Sequence, residues 1–406
     1  MVWTSGDVVM SGGPTWTHTG GAVFTAASSG TISGSGVLLV SGSGSLMTKG
    51  DASTSSLNVT LSMVGGGALS VSAGVLQLGG GGVWDNTSTT TLGGSGTLRV
   101  TANTVTENGV IAGASGTVEV AGGVLVVNGC PTATLVNFVV SGGQLQVTCA
   151  TFSPPVIISS GTLVIDTARN YSSALYVIGS GSVVVNAGVS LTLSAGCLLN
   201  STGGVILQSS TSMLNIAAGV CTFASATSVS GSGAVVVSGS ASVTMLAPLT
   251  GLTAGASVAV SGGGSLTVSG SSPFTVPLLA SGSGVLNFAA ATTLATGGGL
   301  SVSQSASVNL NSGAVVLSSG SACSFAGGTV TVGSTASLTL STACTQSGGT
   351  ITGAGAVVSS GGFGFSGGSW AGTGSQQVTS SLSLTGTVGI ARAVRSVAQR
   401  CAPALL

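Results

Sequence analysis

Residues 234–245 read AVVVSGSASVTM, and residues 257–268, which begin 23 positions later, read SVAVSGGGSLTV. Each segment has apolar residues at alternate positions, then four small residues, then a second short run with the same alternation. Alternation of this kind is typical of a half-buried β-strand, and small residues between two such runs indicate a turn. The template returns as SVVVNAGVSLTL at 182–193, GLSVSQSASVNL at 299–310 and TVTVGSTASLTL at 329–340. The chain is therefore a repeat array.

The spacing of the strands predicts the architecture. Corresponding strands recur every 20 to 23 residues, and we match Leu46 with Leu69, Leu76 with Leu98, Leu98 with Val118, Val243 with Leu266, Leu286 with Val308, and Val308 with Val330. This period predicts an all-β fold, a single-stranded parallel β-helix (β-solenoid), whose coils stack at ~4.8 Å. About 18 coils of about 22 residues are expected from the length of the chain. The template starts fit no single period, so the coils must differ in length.

Three regions differ in regularity. Residues 1–36 are the least regular and are predicted to form an N-terminal cap with the first irregular coils, because an uncapped coil presents open strand edges. Residues 37–388 are predicted to form the solenoid array. Residues 389–406 form a basic tail with three arginines, which is a candidate cap for the C-terminal coil.

The composition excludes several functional classes. Of 406 residues, 70 are Gly, only 3% are charged and 43% are hydrophobic, so disorder is disfavoured despite the high glycine content. The body of the chain lacks the Lys and Arg that neutralise phosphates, since no charged residue occurs between Arg169 and Arg392, and we expect no nucleic-acid partner. No run approaches the ~20 apolar residues of a transmembrane helix, so no membrane-spanning segment is expected.

The N-terminus, MVWTSGDVVMSGG, has no basic segment followed by an apolar one, so no secretory signal is visible. Either the chain is intracellular or it is a portion of a longer precursor. The repeat pattern has already begun at the first residues, which favours the second interpretation.

The cysteines give the most specific prediction. Three pairs are separated by about one coil, at 19, 24 and 21 residues: Cys130 with Cys149, Cys197 with Cys221, and Cys323 with Cys344. Residues one coil apart lie on adjacent strands with Cα atoms near ~4.8 Å, inside the window that a disulfide requires. We predict three disulfides between neighbouring coils, with Cys401 left over, and hence an oxidising compartment. The alternative is that these cysteines are small buried apolar residues.

Few residues are suited to catalysis or to metal binding. His18 is the only histidine, and no Cys/His cluster is present, so we expect no catalytic residue, metal site or cofactor. The acids are scattered, and a carboxylate pair for glycoside hydrolysis would have to come from neighbouring coils. The candidates for such a pair, in a polysaccharide-acting enzyme, are Asp85, Glu107, Glu119 and Asp166.

Outward-facing Ser and Thr residues suggest a second possible function, the binding of a crystalline surface. The segments TSTTT at 87–91, TVTV at 329–332 and SLTL at 337–340 are candidates for flat hydroxyl rows that order water and bind ice or another crystalline surface. A Thr-x-Thr row repeated on every coil is not visible in the sequence. The alternative is that these hydroxyls only provide solubility without charge.

Segments such as GSGVLLVSGSGSL at 34–46 and SGTLVID at 160–166 resemble the β-helical stalks of secreted repeat proteins, namely bacterial autotransporter passengers and filamentous adhesins. The resemblance covers roughly 35–360, but the Asn-rich turns common in those families are missing. It implies a non-enzymatic structural or adhesive stalk, extracellular or at the cell surface, with cell-surface or polysaccharide ligands. Neutral, stackable strands also suggest end-to-end self-association into fibres.

Overall fold

A computed structural model describes residues 1–396 except 5, 131–135, 150, 247–248, 250, 271–272, 387 and 391–393. The fold is all-β, as predicted: parallel strands stack as a β-solenoid of about 17 turns, and the described residues contain no helix. The chain divides into two compact units, Met1–Leu191 with Ser201–Val205 and Thr192–Asn200 with Ile206–Leu406.

The first unit contains strands β1 to β23. Their bounds are β1 Val2–Trp3, β2 Val8–Met10, β3 Thr15–His18, β4 Val23–Ala26, β5 Gly30–Ser41, β6 Leu46–Lys49, β7 Thr54–Val64, β8 Ala68–Val71, β9 Val75–Leu78, β10 Gly82–Trp84, β11 Thr89–Leu92, β12 Thr97–Val100, β13 Thr104–Glu107, β14 Val110–Gly113, β15 Thr117–Val120, β16 Val124–Val127, β17 Asn137–Val140, β18 Gln144–Val147, β19 Val156–Ile158, β20 Thr162–Ile165, β21 Arg169–Tyr171, β22 Leu175–Gly179 and β23 Ser182–Val185. Strands β24 Ser190–Leu193, β25 Cys197–Ser201 and β26 Gly204–Leu207 contain the residues at which the chain changes unit.

The second unit contains β27 to β51, and from β34 onward each coil has three strands. Their bounds are β27 Met213–Ile216, β28 Val220–Phe223, β29 Val229–Gly231, β30 Ala234–Val237, β31 Ser242–Met245, β32 Ser257–Val260, β33 Ser265–Val268, β34 Pro277–Ala280, β35 Val285–Phe288, β36 Thr292–Leu294, β37 Gly299–Val302, β38 Ser307–Leu310, β39 Gly313–Leu317, β40 Ala322–Phe325, β41 Thr329–Val332, β42 Ala336–Leu340, β43 Cys344–Gln346, β44 Thr350–Gly353, β45 Ala356–Ser359, β46 Phe363–Phe365, β47 Gly368–Trp370, β48 Gln376–Val378, β49 Leu382–Leu384, β50 Val388–Ile390 and β51 Val394–Ser396.

The interior is built from every second residue of each strand. In the second unit Val243, Leu266, Leu286, Val308 and Val330 are register partners on successive strands, and all five side chains are buried. Stacking of this kind removes each apolar side chain from water, which contributes about 1.5–3 kcal/mol for a fully buried Val or Leu. The predicted matches of these residues are confirmed, as are Leu76 with Leu98 and Leu98 with Val118.

One predicted match is wrong by a single residue. Leu46 pairs with Ala68, whereas Leu69 pairs with Met47. Because side chains alternate along a strand, a slip of one residue turns a side chain from the interior to the outer face. Met47 is therefore fully buried, and Leu46 is half-buried on the outer side of β6.

Glycine is required where two strands approach closely. Gly113 has a φ of 143°, and a Cβ there would collide with the carbonyl of its register partner Leu92. Gly231, with a φ of 100°, meets the carbonyl of Leu207 in the same way. Only glycine adopts this backbone region without strain.

The regular pattern continues past Ser359, where the sequence becomes rich in glycine and aromatic residues. Phe363, Phe365 and Trp370 form an aromatic cluster with ring centroids 4.8 to 6.2 Å apart. The Nε1 of Trp370 donates a hydrogen bond of 2.6 Å to Oε1 of buried Gln346, which satisfies two interior polar groups.

The two ends of the chain also contain strands. Within 1–36, four complete strands precede β5, and His18 pairs with Val40. Of the tail 389–406, residues 389–390 lie in β50 and residues 394–396 in β51, while Arg392, Arg400 and Cys401 lie outside the described residues. The capping roles of both ends stay predictions.

Candidate functional site

Two of the predicted cysteine pairs form disulfides. Cys197 on β25 and Cys221 on β28 are register partners with Cα atoms 4.4 Å apart. Cys323 and Cys344 are likewise linked, with Cα atoms 4.7 Å apart. In both cases the coil-length separation brings the two cysteines to the same position on adjacent strands, as their spacing predicts.

Cys130 and Cys149 are thiols rather than a disulfide, which differs from the prediction. Val127 and Val147 are register partners at the ends of β16 and β18. Cys130 therefore lies three residues beyond its strand and Cys149 only two, so the pair is out of register by one residue. The two thiols are nonetheless near enough for each to shift the pKa of the other, with Cys149 buried and Cys130 half-buried.

Asp85 and Glu107 lie at the ends of the paired strands β10 and β13, since Trp84, the residue before Asp85, is the register partner of Glu107, but their surroundings differ. Glu107 is fully buried, accepts a 2.7 Å hydrogen bond from the Gly109 N–H, and contacts the Thr90 hydroxyl at 3.3 Å. Burial raises its pKa to about 7, although these hydrogen bonds oppose the shift. Asp85 lies in a turn and accepts hydrogen bonds from Thr87, Ser88 and the Gly65 N–H, which hold its pKa near 2 against the opposing effect of burial.

The other two acids connect neighbouring coils on the outer surface. Glu119 forms an ion pair with its register partner Arg99 at 2.7 Å between Oε2 and Nε, and it accepts a hydrogen bond from Ser141. Asp166 accepts hydrogen bonds from Gln146 and Asn186 on either side. Asp85 and Glu107 therefore lie close enough for the charge of Asp85 to help raise the pKa of Glu107, whereas Glu119 and Asp166 have separate partners. Because Glu107 is fully buried, the four acids do not form one exposed carboxylate cluster.

His18 lies at the end of β3, and its Nε2 is buried without a hydrogen-bond partner among the described residues. Its ring packs edge-on against Phe24, with centroids 6.3 Å apart. Among the described residues, no group of three or more His, Cys, Asp or Glu side chains is placed to hold a metal ion.

One sheet of the second unit has a two-row polar surface, which we call the Ser/Thr/Asn face. It is formed by the outward-facing positions of successive strands in one sheet, from β28 to β47. The first row is Thr222, Thr244, Thr267, Asn287, Asn309, Thr331 and Thr352. The second row is Val220, Ser242, Ser265, Val285, Ser307, Thr329, Thr350 and Ser369.

The spacing of the face follows from strand geometry. Neighbouring residues in a row are about 4.8 Å apart, and the two rows are about 6.6 Å apart because they occupy alternate positions of the same strands. Eight strands therefore give a row about 34 Å long. The two rows together contain 13 Ser, Thr or Asn side chains, two Val side chains and no charged residue. The result is an uncharged, periodic lattice of hydrogen-bonding groups.

Most of these groups are available to a ligand. Within the described part of the chain, the hydroxyls of Thr244, Thr267 and Thr331 have no intramolecular hydrogen-bond partner. The exceptions are the amide pair Asn309–Asn287 at 2.9 Å and the hydroxyl pair Thr350–Ser369 at 2.9 Å. Free hydroxyls on rigid strands can bind a partner without first breaking internal contacts.

The three Ser/Thr segments singled out in the sequence occupy three different sheets. TVTV at 329–332 supplies Thr329 and Thr331 to the Ser/Thr/Asn face. The SLTL segment places Thr339 on the neighbouring strand β42, where its register partners are Val316 and Val358. In TSTTT, Thr89 and Thr91 point outward in the first unit and Thr90 points inward.

No protein-family model matches this sequence, and neither does any curated protein. The described residues include no helix that is long and apolar enough to cross a membrane. The geometry of the chain defines its class, a parallel β-solenoid.

Proposed function

We propose that this chain is a non-enzymatic structural or adhesive β-solenoid, extracellular or at the cell surface, whose Ser/Thr/Asn face binds an uncharged, repetitive polysaccharide. The observation that carries the proposal is the pair of hydrogen-bonding rows on strands β28 to β47. Such a face has a repeat in two directions, which suits a ligand that is itself periodic.

The chemistry of the face suits sugar hydroxyls. Ser and Thr hydroxyls donate and accept hydrogen bonds, and the amides of Asn287 and Asn309 add further donors and acceptors. Each contact is weak on its own, but many contacts along one polymer raise the overall affinity. The rows are held on a stacked sheet, so little side-chain and backbone freedom is lost on binding.

The two disulfides support a location outside the reducing cytoplasm. Cys197–Cys221 and Cys323–Cys344 are compatible with an oxidising compartment, in which secreted and cell-surface proteins acquire such links. Glycoside hydrolysis uses two carboxyl groups within about 10 Å on either side of the scissile bond. Asp85 and Glu107 are neighbours, but Glu107 is fully buried, and Glu119 and Asp166 are engaged by other side chains, which supports a binding role rather than hydrolysis.

The experiment is co-sedimentation of the purified full chain with insoluble polysaccharides, namely cellulose, chitin and peptidoglycan. The test variant is Thr331→Lys, which places a long charged side chain at the sixth of the seven positions of the first row. The matched control is Thr339→Lys, eight residues later, at the same half-buried position of the next strand. We expect the wild type and Thr339→Lys to bind one of these polymers equally and Thr331→Lys to bind at least tenfold less.

Two results would contradict the proposal. One is no sedimentation of the wild type with any of the three polymers. The other is an equal loss of binding in both lysine variants, which would mean that the Ser/Thr/Asn face has no particular role.

Ice or another crystalline surface is the second candidate ligand, since free hydroxyls in two parallel rows also match an ordered array of water. This candidate predicts thermal hysteresis in the wild type and in Thr339→Lys, with the effect abolished in Thr331→Lys. Absence of hysteresis at high protein concentration would remove it.

A further inference from the structure

The pair Cys130 and Cys149 lies beside a buried arginine in the first unit. Arg169, at the start of β21, is 4% exposed and donates hydrogen bonds to the carbonyls of Cys149 and Val147. It also donates a 2.8 Å hydrogen bond to the hydroxyl of Thr167. The guanidinium is thereby fixed against the segment that carries Cys149.

The charge of Arg169 is incompletely compensated. Among the described residues it has no ion-pair partner, and its buried Nε has no hydrogen-bond acceptor. The nearby Asp166 carboxylate is engaged by Gln146 and Asn186. A buried guanidinium stays protonated, so the surroundings favour a negative charge close to it, and the two thiols are the groups positioned to supply one.

The two sulfurs have different environments. Burial raises the pKa of Cys130, but hydrogen bonds from Cys149 and Thr151 and the charge of Arg169 outweigh it, so the pKa lies below its ordinary value. Burial and the contact with Cys130 raise the pKa of Cys149 to about 12. A half-buried thiol with a stabilised thiolate next to a buried neutral thiol is the arrangement of an attacking and a resolving cysteine.

We propose that Cys130 and Cys149 form a thiol–disulfide exchange site for a low-molecular-weight disulfide, with Cys130 as the attacking sulfur, Cys149 as the resolving sulfur and Arg169 as the positioning cation. The Cys130 thiolate attacks one sulfur of the small disulfide, so that a mixed disulfide forms and one small thiolate leaves. Cys149 then transfers its proton to that thiolate and attacks the Cys130 sulfur, and the second small thiol is released on protonation by solvent. The protein loses two electrons, and the small disulfide is reduced to two thiols.

This site differs from the two disulfides of the second unit. Cys197–Cys221 and Cys323–Cys344 are register partners on paired strands, whereas Cys130 and Cys149 lie beyond their strands and one residue out of register. A disulfide between Cys130 and Cys149 can therefore form and break without breaking strand pairing.

The test uses the full chain with Cys401→Ser, so that the seventh cysteine does not complicate the readings. Peptide mass spectrometry measures the alkylation rates of Cys130 and Cys149 by iodoacetamide at pH 7. We expect Cys130 to react at least tenfold faster than Cys149, and we expect Arg169→Gln to slow Cys130 about tenfold through loss of thiolate. Arg169→Lys, which keeps the charge, should restore most of the rate, and Arg99→Gln, on the outer surface, should leave it unchanged.

Oxidised glutathione then tests the exchange itself. We expect a Cys130–Cys149 link in the wild type and a persistent glutathione adduct on Cys130 in Cys149→Ser. Equal alkylation of the two wild-type thiols would overturn the proposal, as would failure of glutathione disulfide to produce the link. Misfolding of an arginine variant would expose both thiols and make their alkylation rates equal, so it is recognised from the same measurement. In that case the wild-type alkylation rates and the wild-type reaction with oxidised glutathione still test the proposal.

Discussion

Asn309 donates a side-chain hydrogen bond of 2.9 Å to Asn287, its register partner on the preceding coil. The two amides lie in the middle of the first row of the Ser/Thr/Asn face, between Thr267 and Thr331. They connect two coils at the point where the row changes from hydroxyl to amide groups.

This amide pair stabilises the solenoid as well as the face. Asn287→Ala and Asn309→Ala should each lower the free energy of unfolding by about 0.5–1.5 kcal/mol, because one neutral, half-buried hydrogen bond is lost. The double variant should cost less than the sum of the two, since both substitutions remove the same bond. Urea unfolding of the four proteins measures the coupling, and strictly additive effects would show that the two amides do not interact.

Glu107 makes stability depend on pH. Its pKa is raised by burial from 4.5 to about 7, so between these pH values the folded chain binds more protons than the unfolded chain. Stability is therefore highest below about pH 4.5 with respect to this group, and it falls as the pH rises through 7, by on the order of 3 kcal/mol. Urea unfolding between pH 5 and pH 8 measures this slope.

Glu107→Gln provides the comparison. Glutamine keeps an acceptor for the Gly109 N–H and carries no charge, so this variant should be more stable than the wild type at pH 8 and should lose the decline between pH 5 and 8. If the wild type and Glu107→Gln have parallel stability profiles, the buried carboxyl does not titrate as described.

The apolar ladder of the second unit should be sensitive to truncation. Leu286 is fully buried between Leu266 and Val308, so Leu286→Ala should cost about 2–5 kcal/mol through lost burial and the cavity left behind. Val285→Ala, on the outer side of the same strand, should cost less than about 1 kcal/mol. Equal costs for the two substitutions would contradict the assignment of inner and outer positions.

The disulfide Cys323–Cys344 closes a loop with a sequence separation of 21 residues. Loss of this link in Cys323→Ala should lower stability by about 3 kcal/mol, because the unfolded chain gains the freedom that the link removes. Reduction should cost the wild type more than this, because it opens both disulfides, and it should cost the variant only the contribution of Cys197–Cys221. Thermal unfolding with and without reductant makes the comparison, and an unchanged Tm in the variant would count against a formed link.

The fold follows directly from the sequence because its strands carry a simple signal. Segments such as SVTM at 242–245 and SLTV at 265–268 alternate inner and outer residues, and the inner ones stack as expected. Leu46 shows the limit of this reasoning: its neighbour Met47 is also apolar, so the alternation alone does not say which of the two points inward. The pairing with Ala68 and Leu69 decides it.

The Ser/Thr/Asn face was not visible in the sequence for a related reason. Its strands begin at Ser242, Ser265, Val285, Ser307 and Thr329, which are separated by 23, 20, 22 and 22 residues. A fixed period therefore does not align the outward-facing residues of successive coils. Two coils also have Asn where the others have Thr, which makes the row harder to recognise in the sequence. The same variation in coil length explains why the predicted link between Cys130 and Cys149 was wrong. Their separation of 19 residues suggested a shared position, but they are one residue out of register.

The register of the coils determines where the Ser/Thr/Asn face, the two disulfides and the thiol pair lie. The pairing of the cysteines is therefore a direct test of that register. The measurement is non-reducing peptide mass spectrometry on alkylated protein from its natural source. We predict links between Cys197 and Cys221 and between Cys323 and Cys344, with Cys130 and Cys149 recovered either alkylated or linked to each other. A link between cysteines of different pairs, such as Cys221 with Cys323, would contradict the register and with it the placement of the face.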